Sequence, residues 1–511
     1  MSQTITVPPE AAGKKLSQWL IDQGIALPAA CGGRGVCGKC RVKVLQGQFL
    51  LPTGEILLPD ENGNILSCCA FCTGEAAVIE LESSCGGGLV DFVPSKNETV
   101  KSSGWAIALD IGTTTVCAAL IDRSEGKVIE TFSCLNPQQV YGADVITRIA
   151  ACGEGKLKDL HQLIIKSTNE AIDKFARRYP GYKPDHLFVA GNTTMLHLFC
   201  GISPESMGVY PFTPQFTRRV EYSGQALGLK IQSVTVLPSA SAFIGSDVVC
   251  GMLISNMTAQ EGASLLMDIG TNGEMVLCSQ GTNKILTTAS TAAGPALEGA
   301  NISCGVGGIS GAVSSVTLGE DGRLFFKTID DAEPIGICGS GLIDLIGAML
   351  ALEVLDETGA LEEDVFGFTG THLNREGKII HTFDAPVFIL TQKDIREFQL
   401  AKSAIRAGIE ALVYENGLDF SGLDKVYIAG GLGYYINIES AVNVGMLPAQ
   451  FKEKTVLLGN SSLGGAVSAA TSKTSMDRLD FLAESCILFE LNRSAKFNEA
   501  FIEDMFFPER E

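Results

Sequence analysis

The sequence contains no run of about 18 apolar residues, so no membrane-spanning helix is expected, although 46% of its 511 residues are hydrophobic. Its first residues, "MSQTITVPPE", have neither a charged leader nor an apolar stretch, and a secretory signal is not expected. Positive charge is scarce. Lys and Arg number 38 against 58 Asp and Glu, a formal net charge of −20. Such a chain repels phosphate backbones, which argues against nucleic acid as a partner. The length suggests roughly three domains.

Cysteine and glycine are abundant, at 16 and 57 residues. The cysteines cluster, and without a leader this favours metal ligation in a reducing compartment over a disulfide framework. The glycines gather in turns such as "CGVGGISG", Cys304 to Gly311, rather than in a linker.

The densest cysteine cluster is "CGGRGVCGKC". Five residues separate Cys31 from Cys37, and two separate Cys37 from Cys40. Zinc sites favour paired short knuckles. Three thiols in one glycine-rich loop with a distant fourth fit an iron–sulfur cluster better, and glycine lets such a loop wrap closely. A strand-like "RVKVLQGQ" follows, then "ILSCCAFC", in which Cys68, Cys69 and Cys72 compete as fourth ligand. The first gap is one residue longer than the plant-type pattern and resembles the adrenodoxin-like branch of [2Fe–2S] ferredoxins. In that branch the last cysteine follows a Leu-Ala or Leu-Ser pair, which implies Cys68. Cys69 and Cys72 then read as buried small hydrophobes.

Beyond a connector at 85–103, the chain repeats itself. "ALDIGTTT" and "LMDIGTNG" each place an aspartate, Asp110 or Asp268, at a strand end before a glycine turn. Such a turn between antiparallel strands exposes N–H groups to phosphate oxygens. In the first copy the candidates are Gly112, Thr113 and Thr114; in the second, Gly270, Thr271, Asn272 and Gly273. The aspartates would hold Mg²⁺ through water or orient an attacking water. The pair resembles the acetate kinase–sugar kinase–Hsp70–actin ATPases, two ribonuclease-H-like halves facing each other across an ATP cleft.

Further glycine turns fit that frame. "YIAGGLG" offers Gly430, Gly431 and Gly433 for close approach of adenosine. "ICGSGLID" places Gly339, Ser340 and Gly341 where a helix opens, a site that attracts anions or simply packs tightly. In "VAGNTTM", Asn192 either caps a helix or meets the ligand. "TQKDIREFQLAKSAIRAGIEALV" reads as a helix, with Ile395, Phe398, Ala401, Ile405, Ile409 and Leu412 in a 3.6-residue period. Gln399 and Lys402 on it either reach the nucleotide or form a solvated face.

In this order, and with "NPQQVYGADVITRI" and "AAGPALEGA" between them, the motifs resemble the reductive activators of corrinoid proteins. The resemblance implies an α/β and α+β multidomain chain: a β-grasp [2Fe–2S] ferredoxin-like domain at 1–84, a linker at 85–103, and ribonuclease-H-like ATPase halves at 104–255 and 256–511. It implies ATP and Mg²⁺ as cofactors, a corrinoid protein as partner, a low-potential electron donor, and a homodimer formed through the ATPase domain. The implied activity is ATP-driven transfer of one electron onto a Co(II) corrinoid. Better-known members carry an extra middle domain between cluster and ATPase, which this chain is expected to lack. A redox-linked small-molecule kinase or a plain electron carrier with a nucleotide-binding module are the alternatives, but no sugar-binding motif is evident.

Overall fold

The computed structural model describes residues 2–23, 25, 27, 40–60, 62–82, 104–281 and 284–509. Cys31, Cys37 and the 85–103 connector lie outside the described residues.

Near the N-terminus, Ser2–Val7 pairs antiparallel with Ala77–Glu82, and Arg41–Gln46 pairs with the other edge of that strand. Asn64–Leu66 completes a four-stranded sheet, with a smaller three-stranded sheet beside it. The helix Leu16–Asp22 buries Leu16, Trp19 and Leu20, an i, i+3, i+4 stripe, against Val42, Ile65 and Ile79. Sheet and crossing helix form the β-grasp.

Each later lobe repeats one plan. In the first, Trp105–Ile111, Thr115–Asp122 and Lys127–Leu135 run as an antiparallel meander; Pro184–Gly191 joins the first strand in parallel, followed by Ser233–Val236. In the second, Ala263–Ile269, Gly273–Cys278 and Leu286–Thr291 form the meander, and Leu423–Ala429 and Thr455–Gly459 extend it in parallel. Both are ribonuclease-H-like sheets. Their central strands are almost uniformly apolar because both faces are covered.

Two helices lie between the lobes. Ser246–Ser255 and Ser461–Thr471 cross where a Cβ on Gly465 would overlap Cys250. Their apolar faces share one core with Ala106 and Ala108 of the first sheet and Leu266 and Tyr427 of the second. The Ser461–Thr471 helix, late in the chain, packs mainly on first-lobe strands. The lobes are thereby fused at their backs and open on the side where both glycine hairpins emerge.

The second lobe also carries a five-stranded sheet built from Ala312–Leu318, Leu324–Thr328, Gly336–Ile337, Val365–Leu373 and Ile379–Thr391. The expected helix spans Gln392–Glu415, opened by a capping box between Thr391 and Asp394.

Candidate functional site

Both hairpins open into one cleft of about 230 Å³. Asp110 ends one central strand, and its carboxylate accepts from Asn460 Nδ2 at 2.9 Å and Ser462 Oγ at 2.6 Å. Both donors come from the start of the Ser461–Thr471 helix, some 350 residues along the chain. Asp268 ends the equivalent strand of the other lobe. A Cβ on Gly430, where φ is +87°, would overlap the Asp268 carboxylate, so glycine there permits the closest approach of the two strand ends. Gly431 has open space in front of it and lines the cleft.

Asp247, Glu274 and Glu298 join them. Sequence reading missed all three, and also Asn460 and Ser462. Asp247 sits in the first turn of its helix, and its Oδ1 accepts from the Val248 N–H at 2.8 Å. Glu298 closes the "AAGPALE" turn, and its Oε2 accepts from Thr114 Oγ1 at 2.8 Å and from Thr271 Oγ1. One carboxylate oxygen thus takes one hydroxyl from each hairpin.

Burial and mutual repulsion shape the acidity of this group. Asp268 is pushed up to about 8, by burial first and then by Asp247, Asp110 and Glu298. Asp247 is pushed up to about 7, by burial and then Asp110. Burial lifts Glu274 well above the usual range, with Asp247 and Asp268 adding to it. Asp110 is raised by burial despite its two donors. Carboxylates held this way gain most from a cation.

Of the residues singled out from sequence, Gly112, Thr113, Thr114, Gly270, Thr271, Asn272, Gly339, Ser340, Gly430 and Gly431 line the cleft with Asp110 and Asp268. Asn192 caps its helix and also lines the cleft. Its Oδ1 caps the Met195 N–H at 2.9 Å and its Nδ2 donates to Thr113 Oγ1 at 3.1 Å. Gly307 and Gly308, from the "CGVGGISG" cluster, also face the cleft.

Five candidates do not line it. Gly273 faces Thr291 and Ile405, Gly341 faces the Val313 carbonyl, and Gly433 faces Ile428; each admits close packing of the elements around the cleft. Gln399 and Lys402 turn to the C-terminal segment instead of the nucleotide cleft. Gln399 Nε2 donates to the Met505 carbonyl at 2.7 Å, and Lys402 Nζ donates to the Asp504 and Phe506 carbonyls, each at 2.6 Å. Burial lowers Lys402 to about 8. Nothing in a helical period distinguishes a cation facing a ligand from one facing a distant stretch of its own chain.

In the N-terminal domain, Cys40 and Cys68 are both buried and line one cavity. Cys69 Sγ lies 3.8 Å from Cys68 Sγ, whereas Cys72 packs into the domain core. Cys68 lies outside that core, and its thiol is raised by burial and by Cys40. Two thiols converging at the end of the cysteine-rich loop fit a cluster that binds thiolates.

A [2Fe–2S] ferredoxin domain ahead of two ribonuclease-H-like lobes, closed around an acidic, glycine-walled cleft, defines an iron–sulfur enzyme with an actin/Hsp70/sugar-kinase-type nucleotide-binding unit. Residues 2–73 match the 2Fe-2S iron-sulfur cluster binding domain, 105–260 the RACo middle region, and 262–511 the C-terminal domain of RACo, the ASKHA domain. The chain is 32% identical to corrinoid activation enzyme RamQ of Eubacterium limosum over 83% of its own length and 73% of that protein's. It is 28% identical to a [Co(II) methylated amine-specific corrinoid protein] reductase of Methanosarcina barkeri, over 73% of this chain and 71% of that one. A solved structure, "Reductive activator for corrinoid,iron-sulfur protein", superposes with a TM-score of 0.71 at 26% identity, covering 99% of this chain and 97% of that chain. The chain belongs to the RACo family. The expectation of a missing middle domain is corrected: the family's middle region is present at 105–260 and forms the first lobe. The physical reason is that a ribonuclease-H-like half needs its partner half to make a cleft, so the region reads as part of the ATPase.

Proposed function

We propose that this enzyme uses ATP to drive one electron from its [2Fe–2S] cluster onto a Co(II) corrinoid protein, regenerating Co(I) for methyl transfer. The observation that carries this reading is the joining, in one chain similar along most of its length to corrinoid activators, of a thiol pair suited to a cluster and a cleft suited to a nucleotide.

When bound, the cluster supplies a one-electron couple near about −400 mV, and each 59 mV uphill costs roughly a tenfold factor, which is the reason to couple the transfer to ATP. Cys31, Cys37, Cys40 and Cys68 would hold it. Turn N–H groups and the Thr113, Thr114 and Thr271 hydroxyls would hold phosphates, displacing the Glu298 carboxylate from its two threonines. Gly430 and Gly431 would admit the adenosine. Mg²⁺, which keeps several waters and takes one or two carboxylates besides phosphate oxygens, fits the repelling group around Asp110 and Asp268. A low-potential donor would reload the cluster.

The test mixes cluster-loaded protein, a low-potential reductant and a Co(II) corrinoid protein, with and without ATP and Mg²⁺. Co(I) absorption should appear only with the nucleotide. Equal Co(I) formation without ATP would reduce the chain to a carrier, and a phosphorylated small-molecule product would make it a kinase.

A further inference from the structure

The segment "NPQQVYGADVITRI", Asn136 to Ile149, lines neither the acidic cleft nor the cluster domain's core, yet it grips the back of the first phosphate hairpin. Asn136 Nδ2 donates to the Gly112 carbonyl at 2.8 Å. Arg148 donates to the Thr113 carbonyl at 2.6 Å. The Asn136 N–H donates to the Thr114 carbonyl at 2.8 Å, and Gln139 Nε2 donates to the same oxygen at 3.2 Å. Three successive carbonyls of the turn are therefore held by one segment. The N–H groups of those same peptide units are the ones a phosphate would use. A peptide whose N–H binds an anion becomes a better acceptor at its carbonyl, so a nucleotide in the cleft acts directly on these bonds.

The segment is stiff. Asp144 and Thr147 form a capping box, and Arg148 Nε donates to the Gly142 carbonyl at 3.0 Å. Arg148 is fully buried and has no carboxylate within salt-bridge distance among the described residues. Burial lowers it to about 10. A buried cation without a salt-bridge partner is costly; the Thr113 and Gly142 carbonyls hold this one, and the carboxylates of Asp144 and Glu298 favour its charge from further off.

The opposite face of the segment looks onto the cluster domain. Val140, Tyr141 and Thr147 form one wall of a cavity of about 390 Å³, and Gln18, Cys40 and Cys68 are in the other. The Tyr141 hydroxyl donates to Asp159 at 3.1 Å, and Tyr141 lines this cavity together with Gln18, on the Leu16–Asp22 helix. The Lys156 ammonium sits 5.8 Å from the centre of the Tyr141 ring.

We infer that Asn136–Ile149 is the coupling element of the enzyme: it carries the occupancy of the phosphate hairpin to the surface on which the cluster domain rests, with Arg148 and Tyr141 as positioning residues at its two ends. The inference rests on the reading of the cleft as an ATP site. It assigns ATP a route to the cluster that needs no contact between nucleotide and cluster.

Hydrogen exchange on the cluster-loaded full chain tests this, with and without Mg²⁺ and a non-hydrolysable ATP analogue. Amides of Asn136–Ile149 and of the Leu16–Asp22 helix should both change their exchange by about fivefold or more, the lower end of ordinary coupling between sites. Tyr141→Phe should bind the analogue as tightly as the parent and respond in Asn136–Ile149, while the helix no longer responds. Arg148→Lys, which keeps the charge but loses the fork, should lose both responses; should it fail to fold, Tyr141→Phe still decides. A parent helix indifferent to the analogue overturns the inference, as does a parental helix response in Tyr141→Phe. No corrinoid is present in the experiment, so its result stands apart from the test of electron transfer.

Discussion

Asp268→Asn should separate stability from activity by moving them in opposite directions. In the cleft, the Asp268 carboxyl is pushed up to about 8 and that of Asp247 to about 7. Unfolded, both titrate near about 4. The folded chain therefore holds more protons across that window, and the stability these groups contribute is lost as pH rises through it. At about 1.4 kcal/mol per unit, the Asp268 carboxyl sets a ceiling of about 5 kcal/mol by pH 8. The amide removes this cost and adds a buried group in need of partners, worth about 1–3 kcal/mol. The variant should thus be as stable as the nucleotide-free parent or more so, by up to a few kcal/mol. A melting series from pH 5 to about pH 8 should show the gap widening with pH. ATP hydrolysis should fall by about a hundredfold or more, since a charge placed to hold Mg²⁺ or orient water is worth several kcal/mol of barrier. The cluster spectrum should be unchanged. A variant that melts lower than the parent across the whole pH range and still hydrolyses ATP at the parental rate would refute this reasoning. It would make Asp268 a turn residue, as aspartate before glycine commonly is.

Cys68→Ser should lose or strongly perturb the cluster's visible absorption and iron content, whereas Cys72→Ser, a change in the domain core, should keep the spectrum and cost some stability; the reverse pattern would reassign the fourth ligand. Gly430→Ala places a Cβ against the Asp268 carboxylate at φ +87°, and should weaken nucleotide binding by about tenfold or more, from strain of about 1–3 kcal/mol, as calorimetry would show. Lys402→Met removes both donors from the Asp504 and Phe506 carbonyls. It should speed hydrogen exchange in the C-terminal helix Ala495–Glu503 with nucleotide affinity unchanged, and a large loss of affinity would return Lys402 to the nucleotide site.

Features set by short-range chemistry were legible in the sequence alone. The three-thiol spacing, the duplicated strand–Asp–Gly–Thr hairpins and the 3.6-residue period of Gln392–Glu415 each follow from a few neighbouring residues, because ligand reach, turn geometry and helical pitch are local properties. They sufficed for a ferredoxin-like domain followed by a duplicated nucleotide-binding fold. What tertiary structure decided is which distant groups share a space. Asp110 finds Asn460 and Ser462 because a helix late in the chain packs on the first lobe's sheet, and Glu298 spans both hairpins because the lobes close face to face. The same nonlocality misled the reading of Lys402, whose helix and phase were correct but whose partner is the chain's own C-terminal segment. The raised acidity of Asp247 and Asp268 likewise has no signature in sequence. It arises from burial and from carboxylates that only the fold brings together.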